Sequence, residues 1–402
     1  MKQTSFAKGN ALVAQSGGCT AVINQSLVGV VDAARSSRRI ATIYGSFNGI
    51  EGLLKNNLID LTAQPKNLLR KIANSPSAAL GSSRYKFQPG DEKLILANLK
   101  KADIRYVFLI GGNDTANTSL QIQKISEKAN YALRVIHIPK TIDNDLVETD
   151  HCPGYGSTAR FAAITTQEAA LDTKAMRNVD PVKIIELMGR NSGWLVAASA
   201  LLKKTDSDAP HLLYIPEIPF EEEKFIKQVD RVLAQRGYCV IVISETIRDL
   251  HGKRVGAKTA GVIKDPFGHQ YVEGAAAHLA KLVENNLKLR ARFDKPGTIQ
   301  RMSMAYISDT DQKEAHEAGV QAVNWAIDGK TSVMVGFKRK PGSGYSIEYV
   351  PVPLEKIPAQ EKKLPAEFFS PAKNMVTPAF VKYALPLIGK DLPEFASLKP
   401  IR

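Results

Sequence analysis

The chain has 402 residues, 44% of them hydrophobic, with 54 Lys and Arg against 40 Asp and Glu, a net charge of 54 − 40 = +14. That length suits two or three domains with real cores, and no run of 18 apolar residues marks a membrane-spanning helix. Three scattered cysteines (Cys19, Cys152, Cys239) exclude a disulfide framework and a zinc pattern, and residues 1–10 lack a signal-peptide core, so a reduced, cytoplasmic protein is expected.

Residues 11–14 read as a short buried strand that runs through Ser16-Gly17-Gly18 into a helix over 21–34. Residues 40–44 form the next strand, ending in a Gly/Asn turn, and 106–110 and 133–138 the third and fourth. Helices are expected at 92–101 and 117–129. The same rhythm then repeats, with a helix over 158–173, a strand over 182–187, a helix over 193–202, and strands over 212–215 and 238–244. Strand, turn, helix, strand is the signature of parallel sheets. The fold class expected is therefore α/β, with two Rossmann-like three-layer domains and the ligand crevice between them, outside the carboxyl ends of the strands. From Val350 onward the chain is rich in Pro and Lys and reads as a surface tail.

Several strand ends carry chemistry. Gly17 and Gly18 let backbone N–H groups approach a phosphate at a helix N-terminus, although a pair of glycines alone is more often a plain turn. Gly111-Gly112-Asn113-Asp114-Thr115 puts an amide, a carboxylate and a hydroxyl on the next loop; here Asp114 or Thr115 serves equally well as a helix cap. Lys140-Thr141-Ile142-Asp143-Asn144-Asp145 is denser. It holds a cation, a hydroxyl and two carboxylates, which are the base, charge carrier and Mg²⁺ oxygens that phosphoryl transfer to an alcohol needs. Met188-Gly189-Arg190 sets a guanidinium at a further strand end, suited to gripping a phosphate. The basic clusters Lys338-Arg339-Lys340 and Lys362-Lys363 lack interleaved aromatics and read as solvated surface charge. A nucleic-acid-binding protein would need clustered cations with stacking rings, so no nucleic-acid partner and no membrane partner are expected.

Taken in order, SGG, IGGND, PKTIDND, IELMGRNSGW, ISE and PGTIQR resemble the phosphofructokinase family from about Ala11 to Arg301. The resemblance implies a phosphoryl-donor domain over 1–157 and about 302–349, and a sugar-phosphate domain over 158–301 and about 350–402. It implies donor contacts from Gly17, Gly18, Arg84 and Gly112, and acceptor contacts from Thr141, Ile142, Asp143, Met188, Gly189, Arg190 and Glu245. Thr298, Ile299, Gln300 and Arg301 would close over the sugar and its 6-phosphate. Arg292 stands where the family reaches in from a neighbouring subunit, implying a homodimer or homotetramer. Asp143 would be the general base, and Mg²⁺ would be held by Asn113 and Asp145. Family members that use pyrophosphate carry Asp and Lys at the positions of Asp114 and Lys140, whereas ATP users carry glycines there.

Three departures stand out: Asn113 replaces an Asp, Thr298 a His or Tyr, and Pro181 a cross-subunit Arg, with Lys183 the nearest substitute. The expected reaction is reversible, Mg²⁺-dependent transfer from pyrophosphate to the 1-OH of fructose 6-phosphate, placed in glycolysis and gluconeogenesis. The alternatives within the family are an ATP-dependent 6-phosphofructokinase and a pyrophosphate-dependent kinase acting on sedoheptulose 7-phosphate.

Overall fold

A computed structural model describes residues 8–256, 274–342, 344–396 and 398. In chain order its principal strands are β1 (Gly9–Gln15), β2 (Ile40–Ser46), β3 (Leu58–Asp60), β4 (Ile104–Gly111), β5 (Arg134–Pro139), β6 (Val182–Leu187), β7 (Leu212–Tyr214), β8 (Cys239–Ser244), β9 (Ala291–Asp294), β10 (Val333–Arg339) and β11 (Ile347–Pro353). The described chain divides into two compact units. The first comprises residues 8–155 and 301–362; the second comprises 156–256, 274–300 and the residues from 363 on.

The first unit holds a sheet of order β11-β10-β5-β4-β1-β2-β3, parallel except at its two edges, where β3 and β11 run antiparallel to their neighbours. Strands covered on both faces need near-continuous apolar runs, and β1 and β4 have them. Ala11 and Val13 pack on one face with the helices Ile23–Ser36 and Asp309–Ile327. Leu12 and Ala14 pack on the other face with the helices Asp91–Lys101 and Asn113–Lys128. The result is three layers. The first two of those helices touch through backbone, because a β-carbon on Gly29 would lie 2.1 Å from the His316 carbonyl oxygen and one on Gly319 2.3 Å from that of Ser26.

Strand β1 lies between β2 and β4, so the sheet reverses direction of growth there, the place where open α/β sheets bind ligands. The register brings Gln15 level with Ile110, and Gly111 level with Pro139. The loops that follow β1, β4 and β5 therefore start side by side.

The second unit carries a parallel sheet of order β7-β8-β6-β9. Val182, Ile184 and Ile241 pack there against Phe225, Val229, Leu279 and Val283 of the helices Glu222–Arg236 and Ala275–Leu287. Leu187 pairs with Ser244, which sets Met188 level with Glu245.

The α/β class and mostly parallel sheets are as expected, but several elements differ. The helix expected over 117–129 starts at Asn113, with Gly112 as its N-cap, so neither Asp114 nor Thr115 is the cap. The helix expected over 193–202 is the shorter Trp194–Ala198. The stretch from Val350 is not a surface tail. Residues 350–353 complete β11 against β10, and Leu354, Ile357, Leu364, Phe380 and Ile388 are buried. A high content of Pro and Lys hid a folded segment whose apolar residues are spaced too irregularly to show a period.

Candidate active site

Each strand-end loop of the first unit is fastened to the next by backbone. The Ser16 amide donates to the Ile110 carbonyl (2.9 Å), the Gly17 amide to Ser83 (3.1 Å), and the Lys140 amide to Gly111 (2.9 Å). Ser82 Oγ donates to the Gly17 carbonyl (2.5 Å) and Ser16 Oγ to that of Ser83 (2.9 Å). These bonds draw the segment carrying Arg84 onto the Gly17-Gly18 turn. Gly17 has φ +78°, a conformation that favours glycine. A β-carbon on Gly18 would meet Arg301 Nη1 at 2.8 Å.

Two cations meet this turn. Lys140, 3% exposed, donates from Nζ to the Gly18 carbonyl at 2.6 Å. The Arg301 guanidinium lies against Gly18, and its Nε is buried with no hydrogen-bond partner among the described residues. With the start of the helix Ile23–Ser36 just beyond, the turn combines backbone N–H groups, a helix dipole and two positive side chains, a setting for a phosphate anion. His137 lies beneath it on β5, and burial and then the Lys140 charge hold its pKa down to about 3. It stays neutral and leaves the positive charge to Lys140.

Asp114 is exposed in the first turn of the helix Asn113–Lys128, where the dipole favours a carboxylate. Asn113 Nδ2 donates to the Gln360 carbonyl at 2.6 Å. An aspartate there would set a carboxylate against that carbonyl oxygen, which accounts physically for the amide.

The loop after β5 is locked from within. Thr141 Oγ1 donates to Asp145 Oδ1 (3.2 Å) and accepts the Asp143 amide (3.1 Å). Asn144, at φ +53°, is fully buried and accepts the Cys152 amide at 3.1 Å. Asp143 and Asp145 are each 8% exposed, and Ile142 is buried. Among the described residues no three His, Cys, Asp or Glu side chains cluster as a metal cage. The donors these loops offer are the carboxylates of Asp143 and Asp145 and the amide oxygen of Asn113. That set suits Mg²⁺, which takes one or two carboxylates and completes its shell with waters and phosphate oxygens.

The second unit gathers a separate group. The Met188 amide donates to Gln300 Oε1 (3.1 Å), and the Glu245 amide donates to the Leu187 carbonyl (3.0 Å). Gly189 and Arg190 take φ +144° and +48°, and the Arg190 carbonyl accepts the Thr246 hydroxyl. Burial first, and then the neighbouring Glu186 carboxylate, raises the pKa of Glu245. Gln300 is buried, whereas Thr298 and Ile299 are exposed. Arg292 stands apart from this group on β9, its Nε on Asp180 Oδ2 at 2.6 Å. Lys183 is bound to Asp294 at 2.9 Å and does not reach outward as a substitute for an arginine at Pro181.

The sequence motifs flagged most of these positions. They missed the seating of Arg301 at the Gly17-Gly18 turn and the contact of Gln360 with Asn113. Nothing local signals either, since both join residues far apart in the chain.

Parallel sheets with glycine turns, paired carboxylates and cations at their strand ends define an α/β enzyme of the phosphotransferase class. Residues 10–326 match the phosphofructokinase family. The chain is 39% identical to pyrophosphate–fructose 6-phosphate 1-phosphotransferase of Rhodospirillum rubrum, over 98% of each chain. It is 33% identical to sulfofructose kinase of Alkalicoccus urumqiensis, over 90% of this chain and 92% of that one. The crystal structure of a pyrophosphate-dependent phosphofructokinase from Nitrosospira multiformis superposes with a TM-score of 0.87 at 35% identity, covering 98% of this chain and 95% of the other. The chain belongs to the phosphofructokinase family. Among the described residues no helix is long and apolar enough to cross a membrane.

Proposed function

We propose that the enzyme transfers a phosphoryl group from pyrophosphate to the 1-OH of fructose 6-phosphate, giving fructose 1,6-bisphosphate and phosphate, reversibly. One observation carries the reading: the Lys140 ammonium sits on the Gly18 carbonyl at the donor turn. Asp114 adds a carboxylate one residue into the next strand-end helix.

Gly17, Gly18, Gly112 and Arg84 hold pyrophosphate. Asp143 accepts the 1-OH proton as the sugar oxygen bonds to the nearer phosphorus and the bridging P–O bond breaks toward the departing phosphate. Lys140 stabilises charge on the bridging and transferring oxygens. Asp145 and the Asn113 oxygen would hold a Mg²⁺, which when bound would supply neutralisation of phosphate charge. Met188, Gly189, Arg190, Glu245 and residues 298–301 bind the sugar phosphate; Arg301, seated at Gly18, also faces the donor side. Asp114 excludes ATP. A carboxylate about 4 Å from an α-phosphate charge repels it by ~4 kcal/mol at an effective dielectric near 20, roughly a thousandfold in binding.

Initial rates with pyrophosphate and with ATP, for the wild type and Asp114→Gly, test this. Wild-type activity with pyrophosphate alone, and ATP binding gained by Asp114→Gly, are expected; a wild type that prefers ATP refutes it. A second reading concerns the acceptor. The exposed Thr298 and Ile299, and the sulfofructose kinase relative, favour tolerance at the anionic end of the sugar. Sedoheptulose 7-phosphate belongs in the same assay.

A further inference from the structure

Lys363 is exposed, as its charge suggests, but Lys362 is partly buried and turned onto backbone carbonyls. They lie in a short segment bracketed by Pro358 and Pro365. The Lys362 amide donates to the Asp145 carbonyl at 2.7 Å. Its Nζ donates to the carbonyls of Thr149 (2.9 Å) and Asp150 (2.8 Å). Two residues earlier, the Gln360 carbonyl holds Asn113. One residue later, Lys363 Nζ donates to the Asn191 carbonyl at 2.7 Å. The Leu364 amide shares Glu217 Oε1 with the Gly193 amide, each at 2.9 Å. Within the first unit, residues 360–362 therefore bind the start of the helix bearing Asp114 and the loop bearing Asp143 and Asp145; within the second, Lys363 and Leu364 bind Asn191 and Glu217.

The anchor is built to match. Leu354 and Ile357, just before the segment, are fully buried in a small core with Leu146 and Cys152 of the Asp143 loop and Ala116 and Leu120 of the Asp114 helix. The segment leading into the strap, the loop and the helix share that apolar cluster, and Lys362 adds the polar fastening. A lysine suits this task, because one ammonium donates to two carbonyls at once.

We propose that residues 360–362 are a positioning strap, with Lys362 the residue that holds the Asp143–Asp145 loop in reactive geometry. Lys362 acts on the loop through the carbonyls of Asp145, Thr149 and Asp150. The inference rests on the phosphoryl-transfer reading only for its kinetic arm.

The test is Lys362→Met against Lys362→Arg, each assayed with the donor and acceptor that the wild type uses. Amide hydrogen exchange on the same proteins is the second readout. Lys362→Met is expected to lower kcat by about 10- to 100-fold with sugar-phosphate KM changed less than about 3-fold, since a small misplacement of catalytic groups costs that much. Exchange should quicken over residues 141–154 and stay unchanged in β1 and β4. Lys362→Arg, which keeps the charge and donors, should recover most of the turnover. If Lys362→Met does not accumulate folded, Lys362→Gln, with donors for one carbonyl, carries the same comparison. Unaltered turnover per folded enzyme, or unaltered exchange over 141–154, overturns the strap. A wild type inactive with pyrophosphate refutes the functional reading and leaves the exchange result to decide the strap alone.

Discussion

Replacing Lys140 by methionine isolates the charge at the donor turn, because methionine keeps nearly the same length and volume. The side chain is 3% exposed and its ammonium lies 2.6 Å from the Gly18 carbonyl, so the change removes a cation from an enclosed place. A phosphoryl oxygen bound at the turn lies about one further contact away. Two opposite charges about 4 Å apart attract by ~4 kcal/mol at an effective dielectric near 20. Part of this is present before the reaction and binds pyrophosphate; only the part that grows as the bridging bond breaks speeds the chemistry. Dividing it about evenly gives ~2 kcal/mol in each, so kcat and pyrophosphate affinity should each fall by about 30-fold, and kcat/KM by about a thousandfold. Initial rates in pyrophosphate at saturating sugar phosphate measure both. Sugar-phosphate KM and the melting temperature serve as controls. A kcat/KM for pyrophosphate within about 5-fold of wild type would refute the argument, since so small a loss is incompatible with a desolvated ammonium at the transferring group.

Three further outcomes are expected. Asp143→Asn should lower kcat by about 10² to 10⁴-fold with sugar-phosphate KM little changed, as removal of a general base does; steady-state kinetics measures it. His151 gives a pH dependence of stability. Burial opposes its charge, but hydrogen bonds to Asp150 (2.9 Å) and Glu314 (2.7 Å) prevail and raise its pKa, with Tyr345 on Glu314 and Arg339 on Asp150 completing the surroundings. A raised folded-state pKa means the stabilisation is complete below about pH 6.5 and lost as pH climbs through the folded value. Thermal melts should therefore decline over that rise in wild type and less steeply in His151→Gln; parallel slopes would count against a charged His151. Gly29→Ala would press a methyl to 2.1 Å from the His316 carbonyl, forcing two helices apart, and should cost about 1–3 kcal/mol in a urea titration.

The parallel-sheet rhythm was legible because buried strands are continuous apolar runs and their ends are marked by glycine and polar loops. Positions 17, 18, 112–114 and 140–145 stand out as candidates on that basis. The strand β10 and the helix Asp309–Ile327 do not. That helix is buried on several sides, with Ala318, Gly319, Ala322 and Ala326 among its residues, and so shows little amphipathic period. The start at Asn113 was missed because Asn, Asp and Thr read more readily as cap than as first turn.

Local pattern thus determined the α/β class, the order of the motifs and the residue types at each strand end, all of which depend on neighbours a few residues apart. Tertiary structure decided the partners. Lys140 reaches Gly18, Arg301 rests on that same glycine, and Gln360 and Lys362 hold the loops around Asn113 and Asp145. Each joins segments more than a hundred residues apart, brought together by strand register and a shared apolar core. Periodicity reports which face of an element is buried, but not which distant segment it pairs with or packs against.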